Sequence, residues 1–188
     1  MEAARAAGAE PVELLVAGEN VKPELLAEVS ALAHPPRVLG VYRRDDLPRG
    51  VRAATLALWR VADPGNVGVL VRTADAFGAG VALSPGSADL TGPKALRASM
   101  GAVFRVPTGP FDEAPEPWIA LVPRGGTPLA ELELGERTTF VLGAEREGLP
   151  SEVRRRCEAR ATIPQPGGAE SLNVAAAGAI ALYELSGR

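Results

Sequence analysis

The sequence has very little of two residue types that enzymes often use. It contains one cysteine, Cys157, and one histidine, His34, among 188 residues. A single cysteine excludes an internal disulfide and every zinc site built from several cysteines. The lone histidine precedes two prolines, far in sequence from any candidate site, which argues against Ser/His/Asp and Cys/His nucleophile arrangements. An enzyme with this sequence would work without an imidazole, and we expect no metal site.

Long apolar runs are also missing. No stretch reaches the roughly 18 uncharged apolar residues of a membrane-spanning helix. The N-terminus, Met-Glu-Ala-Ala-Arg, lacks the basic and then apolar pattern of a signal peptide. A content of 46% hydrophobic and 23% charged residues is typical of a soluble globular protein. We therefore expect a cytoplasmic protein that does not bind membranes.

The charge of the chain neither clearly favours nor excludes binding of nucleic acid. The net charge of −3 is unlike the basic domains that usually bind it. Arginines nonetheless cluster at 154–156 together with Arg160, and others are scattered between residues 43 and 60. Local basic patches bind phosphate even when the total charge is negative. A solvated helix face explains the first cluster equally well, so both interpretations stay open.

Apolar patterns predict a small α/β unit over residues 1–50. A strand is predicted at 12–17, a helix at 22–33 and a second strand at 37–42. About 40 residues are too few for a well-filled core, so we expect this unit to pack on the remainder or on another chain. Residues 48–50 are predicted to be a linker.

From residue 55 onward, apolar runs alternate with helical patterns, which predicts a mostly parallel sheet flanked by helices. The predicted strands are 56–61, 81–83, 102–106, 118–122 and 138–142. The predicted helices are 66–78, 92–100, 150–157 and 171–185. The proline-rich stretch 107–117 is expected to be an exposed connection. Ligands of such sheets bind beyond the carboxyl ends of the strands, so the loops there are the expected site.

The first of these loops leads into the helix at 66–78. A turn at Asp63 precedes Asn66, which is expected to cap the helix. Arg72 and Asp75 face away from its apolar stripe. Arg72 is either a surface arginine paired with Asp75 or a functional residue above the sheet.

A second loop follows the strand at 138–142. The strand runs into Gly143, and Gly148 follows five residues later. Leucine and proline stand where a P-loop requires lysine and serine or threonine, which argues against binding of a nucleoside triphosphate. Two interpretations of this loop stay open. Its backbone can approach a flat ligand beside Glu145 and Glu147, or the loop is a plain turn from strand to helix.

A third loop, with Gly167 and Gly168, leads into the C-terminal helix. Ser171 or Asn173 is expected to cap that helix. Its predicted buried stripe consists of Leu172, Ala175, Ala176, Ala179, Ile180 and Tyr183. Alone, this stretch is typical of an ordinary capped helix.

Taken in order, these stretches resemble three motifs of the SpoU, or TrmH, RNA methyltransferases. The residues are Asn66 to Arg72, the Leu-Gly-x-Glu-x-x-Gly-Leu of 142–149, and Ile163-Pro164 followed by Ser-Leu-Asn-Val at 171–174. Residues 94–104 are also similar to the family's central segment. The resemblance covers 51–188 and implies a methyltransferase domain. Residues 1–50 look like a shortened remnant of a preceding substrate-binding domain; a start codon placed too late would leave the same remnant.

The resemblance implies an activity and a knotted fold. Members transfer the methyl group of S-adenosylmethionine to a ribose 2′-hydroxyl of tRNA or rRNA. They are usually homodimers with the active site near the subunit interface, and their C-terminal segment forms a deep trefoil knot of the SPOUT type. By resemblance, the cofactor-binding residues are Leu142, Gly143, Glu145, Gly148, Ile163, Gln165 and Leu172. The catalytic residue would be Arg72, with Asn66, Ser171 and Asn173 orienting it or the ribose.

Two questions stay open at this point. Arginine is always protonated in proteins, which favours a role for Arg72 in holding a phosphate and stabilising the developing alkoxide; the family resemblance also allows a role as base. The alternative function is a non-catalytic RNA-binding or assembly module that retains the fold. The sequence identifies neither the RNA nor the modified nucleotide.

Overall fold

The computed structural model describes residues 2–30, 34–167 and 169–187. The chain forms two compact units, residues 1–47 and 48–188. Gly168, one of the two glycines expected to bend the third loop, lies outside the described residues. So do residues 31–33, the end of the first predicted helix.

The described residues of the first unit form two α-helices, two strands and a 3₁₀ turn, Arg44–Asp46. The helices and strands are α1 (Glu2–Ala6), β1 (Glu13–Val16), α2 (Pro23–Ser30) and β2 (Val38–Val41). The strands pair antiparallel, and Leu26 of α2 is buried. The predicted strand, helix, strand order is confirmed, whereas the short α1 was not predicted.

The second unit is built on a seven-stranded parallel sheet. Its strands are β3 (Ala54–Leu58), β4 (Gly80–Leu83), β5 (Thr108–Pro110), β6 (Trp118–Leu121), β7 (Thr127–Pro128), β8 (Thr138–Leu142) and β9 (Ala159–Thr162). Its helices are α3 (Pro64–Ala76), α4 (Pro93–Ser99), α5 (Ser151–Arg156) and α6 (Val174–Ser186). The strand order is β5-β4-β3-β8-β6-β9-β7. The predicted fold class, a mostly parallel sheet flanked by helices, is confirmed.

Two predictions for the middle of the chain are wrong. Residues 102–106 are not a strand. Ala102–Phe104 form a 3₁₀ turn after Gly101, whose φ is +83°, and this conformation still buries Ala102, Val103 and Val106. The stretch 107–117 is not simply exposed, because it contains β5 and the buried Phe111. The Phe111 ring packs edge-on against Trp59 and Trp118, with centroid separations of 5.2 and 5.1 Å.

Residues 48–50, predicted to be a linker, are hydrogen-bonded to the second unit. The Thr108 N–H donates to the Pro48 carbonyl and the Gly50 N–H donates to the Thr108 carbonyl. The segment therefore extends the edge of the sheet beside β5. The strands β7 and β9 were missed because the first has only two residues and the second, Ala-Arg-Ala-Thr, is not an apolar run.

Helices α3 and α6 pack against each other on one face of the sheet. A Cβ on Gly178 would lie 2.5 Å from Leu70 Cδ2 and 3.5 Å from Leu142 Cδ2, so glycine permits this close packing. The buried residues of α6 are Val174, Ala175, Gly178, Ala181 and Leu182. Of the predicted stripe, only Ala175 is buried; the rest of the prediction is wrong, since Ile180 and Tyr183 are 38% and 68% exposed. Nearly every residue of this helix is apolar, so its spacing does not single out one face.

The opposite face of the sheet is covered by α5 and the segment around Phe111. Its core cluster includes Ala120, Val141, Leu149 and Val153. The trefoil knot stays a prediction. The chain passes from β8 through α5 and β9 and returns as α6 to Leu142 at the end of β8, a path that such a knot requires. Within the described ranges, no helix is long and apolar enough to cross a membrane.

Candidate active site

The first loop is held by Asp63, not by Asn66. Asp63 Oδ1 caps α3 by accepting hydrogen bonds from the N–H groups of Gly65 and Asn66, at 2.6 and 3.1 Å. Lys94 Nζ lies 2.9 Å from the other carboxylate oxygen, and its hydrogen bond, with those of the backbone, holds the pKa of Asp63 below its usual value. The predicted cap at Asn66 is therefore wrong. Since the helix begins two residues earlier, the Asn66 side chain is available for other contacts.

Asn66 instead connects all three loops. Its Nδ2 donates to Glu145 Oε1 at 3.0 Å, and its Oδ1 accepts from Asn173 Nδ2 at 3.1 Å. Asn173 is also the cap of α6, because its Oδ1 accepts from the N–H groups of Ala175 and Ala176. An amide is suited to this position because it donates and accepts at the same time.

Glu145 holds the second loop against the first. Its two carboxylate oxygens accept from the N–H groups of Ala62 and Asp63, each at 3.3 Å, in addition to Asn66. Partial burial acts to raise the pKa of Glu145, but these hydrogen bonds and one from its own backbone N–H together lower it. The side chain is thus an ionised anchor at neutral pH.

The carboxyl ends of β6, β8 and β9 open into one cavity of about 700 Å³. Its lining includes the predicted residues Leu142, Gly143, Glu145, Gly148, Ile163, Gln165, Ser171, Leu172 and Asn173. Asn66 does not line the cavity but is hydrogen-bonded to Glu145 and Asn173, which do. A cavity of this volume accommodates a cofactor-sized molecule.

A tight turn forms the floor of this cavity. The Gly148 N–H donates to the Ala144 carbonyl at 2.9 Å, and Gly148 has a φ of +66°, a conformation that favours glycine. A Cβ on Gly143 would overlap the Gly148 carbonyl carbon and lie 2.6 Å from the Leu149 nitrogen. Both glycines are therefore required by the geometry of the turn.

One buried polar atom of a cavity-lining residue has no hydrogen-bond partner in the described structure. Gln165 Oε1 is buried and makes no hydrogen bond with any residue that the structure describes. An unpaired buried acceptor is costly unless a ligand supplies a donor. The exocyclic amine of adenine is such a donor, so this position fits the adenosine part of S-adenosylmethionine.

Arg72 is the one predicted catalytic residue that lies apart from these contacts. It is exposed on α3 and does not line the cavity. The suggested pairing with Asp75 is wrong, because Asp75 binds Arg105 at 2.6 Å. The Arg72 side chain makes no ion pair or hydrogen bond with the described residues. Its guanidinium is therefore available to a substrate or a second chain.

Several lining residues were missed from the sequence. They are Leu121 to Arg124 after β6, Arg146, Arg154 of α5 and Arg160 of β9. The end of β6 is a place where the parallel-sheet rule could have found the first group. The arginines were noticed as charges, but nothing in their spacing placed them in the cavity.

The single cysteine is not a nucleophile. Burial raises the pKa of Cys157 to about 11, despite the nearby Arg156, and its Sγ donates to the Val153 carbonyl at 3.4 Å. The thiolate that nucleophilic chemistry needs is therefore scarce at neutral pH.

Comparison with known proteins assigns this architecture to a family. The model of the SpoU rRNA Methylase family matches residues 53–183. The chain belongs to this family. The resemblance inferred from the three motifs is thereby confirmed.

Relatives of known and unknown specificity match most of the chain. An uncharacterised tRNA/rRNA methyltransferase from Synechocystis is 33% identical, with 87% of this chain and 65% of that protein covered. The 23S rRNA (uridine(2479)-2′-O)-methyltransferase of Streptomyces viridochromogenes is also 33% identical, with 86% and 64% covered. Among solved structures, an AdoMet-bound rRNA methyltransferase from Sinorhizobium meliloti has a TM-score of 0.78 and 31% identity, over 88% of this chain and 69% of that one. The chain thus spans about two thirds of the length of these curated relatives.

Proposed function

We propose that this protein is an S-adenosylmethionine-dependent methyltransferase that acts on a ribose 2′-hydroxyl of rRNA or tRNA. The observation that carries the proposal is the hydrogen-bonded connection from Glu145 through Asn66 to Asn173, which joins three loops along one cavity. Membership of the SpoU family supports the reaction class, and the AdoMet-bound relative supports the cofactor. The proposal places the protein in the cytoplasm, where these RNAs are modified.

The lining of the cavity suits the cofactor, which supplies an activated methyl group. Gln165 Oε1 would accept from the adenine amine, and the backbone at Gly143 and Gly148 would approach its ring. Leu142, Ile163 and Leu172 provide apolar surface. Glu145 holds the loop that contains both glycines.

Positioning would supply most of the catalysis, because methyl transfer needs the ribose oxygen in line with the methyl carbon. Arg72 would bind the adjacent phosphate and stabilise the oxygen as it loses its proton. Ser171 and Asn173, at the cavity edge, would orient the ribose.

We propose that the active protein is a homodimer. Arg72 projects from the outer face of α3, where the apolar Val69 is 41% exposed. On the neighbouring helix α6, Ile180 and Tyr183 are exposed as well. Apolar side chains exposed on two packed helices are typical of an interface. A second copy bound there would bring a protein surface to Arg72, which has no partner within the described part of its own chain.

We further propose that residues 1–50 are a reduced substrate-binding domain and that 51–188 form the methyltransferase domain. The first unit exposes Leu25 and Val29 of α2, at 50% and 67%. These apolar side chains are available for contact with the RNA bases or a partner.

The alternative, a non-catalytic RNA-binding or assembly module, is favoured by one observation: Arg72 lies outside the cavity. Calorimetry with S-adenosylmethionine, followed by transfer of a labelled methyl group to unmodified rRNA and tRNA, separates the two functions. We expect binding and transfer to RNA. Cofactor binding with no transfer to any RNA would support the module instead.

A further inference from the structure

Four arginines line the cavity. Besides Arg146 in the turn after β8, three arginines from three other elements converge on it. Arg154 belongs to α5, Arg160 to β9 and Arg124 to the loop after β6, and all three line the cavity. Within the ranges 2–30, 34–167 and 169–187, none of their side chains makes an ion pair or a hydrogen bond. Arginines gathered without ion-pair partners repel one another, which an anionic ligand would relieve.

The register of the sheet places this group opposite α6. Arg160 pairs with Ala120 in adjacent parallel strands, so both side chains point to the same face. Ala120 belongs to the core cluster that also contains Val153 of α5. The arginines are therefore on the α5 side, whereas Leu172 and Asn173 reach the cavity beside α6.

The loop that carries Arg124 contacts the backbone of β9 at Arg160. A Cβ on Gly126 would lie 2.8 Å from the carbonyl oxygen of Arg160, so this loop rests directly on β9. The Gly126 N–H also donates to Thr162 Oγ1 at 2.9 Å. The loop that contains Arg124 is thus held against β9 two residues after the arginine.

The three consecutive arginines 154–156 lie in different surroundings. Arg156 is structural, because it pairs with Asp112 at 2.6 Å and lies over the Trp118 ring at 4.2 Å. Arg155, between them, is exposed and does not line the cavity. Arg154 alone of the three faces the site. Three glutamates, Glu145, Glu147 and Glu170, also line the cavity, but no ion pair joins them to the converging arginines in the described structure.

We propose that Arg124, Arg154 and Arg160 bind the phosphodiester backbone of the RNA strand that carries the target ribose. This inference rests on the proposed function. The planar guanidinium matches phosphate oxygens bidentately, and three such groups exceed what the single carboxylate of the cofactor needs. Binding the strand on the α5 side would present its ribose to the cofactor held near Gln165.

The test is the salt dependence of RNA binding. Each phosphate contact in single-stranded nucleic acid contributes about 0.7 to the slope of log K against log salt. For the double variant Arg154→Gln/Arg160→Gln we expect a slope lower by about 1.4 with unmodified rRNA transcribed in vitro. The affinity for S-adenosylmethionine should not change.

Two control variants isolate the effect. Arg155→Gln removes the same charge from the same helix outside the cavity and should keep the wild-type slope. Arg154→Lys/Arg160→Lys retains the charge and should recover most of the slope. If the double glutamine variant is destabilised, Arg124→Gln, Arg154→Gln and Arg160→Gln are measured separately. Each should lower the slope of log K against log salt by about 0.7.

A slope in the glutamine variants equal to that of the wild type would overturn the inference. So would a loss of cofactor affinity without a change in slope, because the arginines would then bind the cofactor carboxylate. The proposed function fails on a different measurement, the absence of methyl transfer by the wild-type protein.

Discussion

At the scale of single residues, the site depends on side chains that hold backbone in place. Asn66 and Glu145 fix the loops that surround the cavity through their hydrogen bonds. Arg72 is different, because its guanidinium is not used by any residue of the described chain. Its proposed role can therefore be tested without disturbing the fold.

Arg72→Ala should reduce methyl transfer by at least about 100-fold, the usual effect of losing one donor that stabilises developing negative charge. Cofactor affinity should stay at the wild-type value, since Arg72 does not line the cavity. Turnover and calorimetry measure the two quantities. Arg155→Ala is the control for loss of a surface charge. Full turnover in the Arg72 variant would refute the assigned role.

Glu145→Gln should destabilise the protein in a pH-dependent way. The pKa of Glu145 is lowered in the folded state, so its contribution to stability is complete above the usual pKa of 4.5. The contribution is lost as the pH falls through the lowered value. The difference in Tm between wild type and variant should thus be large at about pH 7 and should shrink as the pH falls below 4.5.

Glu147→Gln is the matched control for this titration. It lies in the same loop and lines the same cavity, but its carboxylate has no hydrogen-bond partner among the described residues. Thermal melting of both variants across this pH range measures the effect. Equal Tm changes in the two variants would show that Glu145 is not a specific anchor.

At the scale of elements, the shape of the cavity depends on the tight turn after β8, which forms part of its lining. Gly143→Ala should lower Tm and abolish cofactor binding, because its Cβ would meet backbone atoms of Gly148 and Leu149 that cannot rotate away. Overpacking of this kind costs about 1–3 kcal/mol. Gly135→Ala is the control, since nothing lies within 4 Å of a Cβ there. Normal cofactor affinity in the Gly143 variant would contradict the close contact of Gly143 with the backbone of Gly148 and Leu149.

Elements with a clear apolar pattern were predictable from sequence, and those shaped by long-range contacts were not. The strand at 138–142 has the predicted bounds because all its residues are buried and apolar or threonine. The buried side of α6 was misassigned because its composition is apolar on every side. The 3₁₀ turn at Ala102–Phe104 was missed because a short apolar run fits either a strand or a helical turn.

In the site, too, local features were predictable from sequence and features that depend on long-range contacts were not. Local motifs identified the loops, and the parallel-sheet rule explains why they meet. Sequence could not show that Asp63 replaces Asn66 as the cap, which depends on one hydrogen-bond geometry. It also could not place Arg154 and Arg160 in the cavity, since their convergence depends on the register between β6 and β9.

At the scale of the whole molecule, the proposed homodimer should depend on α6. Ile180→Asp/Tyr183→Asp places charges on its exposed apolar side, so sedimentation should show a monomer where the wild type is a dimer. Leu25→Asp, a similar change in the first unit, should remain dimeric. A monomeric wild-type protein with full activity would contradict the dimer.

Mixing two inactive variants tests whether the dimer shares its active sites. If Arg72 acts at the partner's cavity, co-expression of Arg72→Ala with Gly143→Ala should restore part of the activity, because one mixed site is intact. Each variant alone should stay inactive. No recovery in an isolated mixed dimer would place Arg72 at its own cavity.

The most direct test of the methyltransferase itself is a map of ribose methylation in cells. rRNA and tRNA from cells with and without the gene are compared by 2′-O-methyl mapping, with wild-type and Arg72→Ala genes returned to the deletion strain. We predict that at least one 2′-O-methyl group disappears with the gene, returns with the wild type and stays absent with the variant. Identical maps in all four strains would contradict the proposed activity.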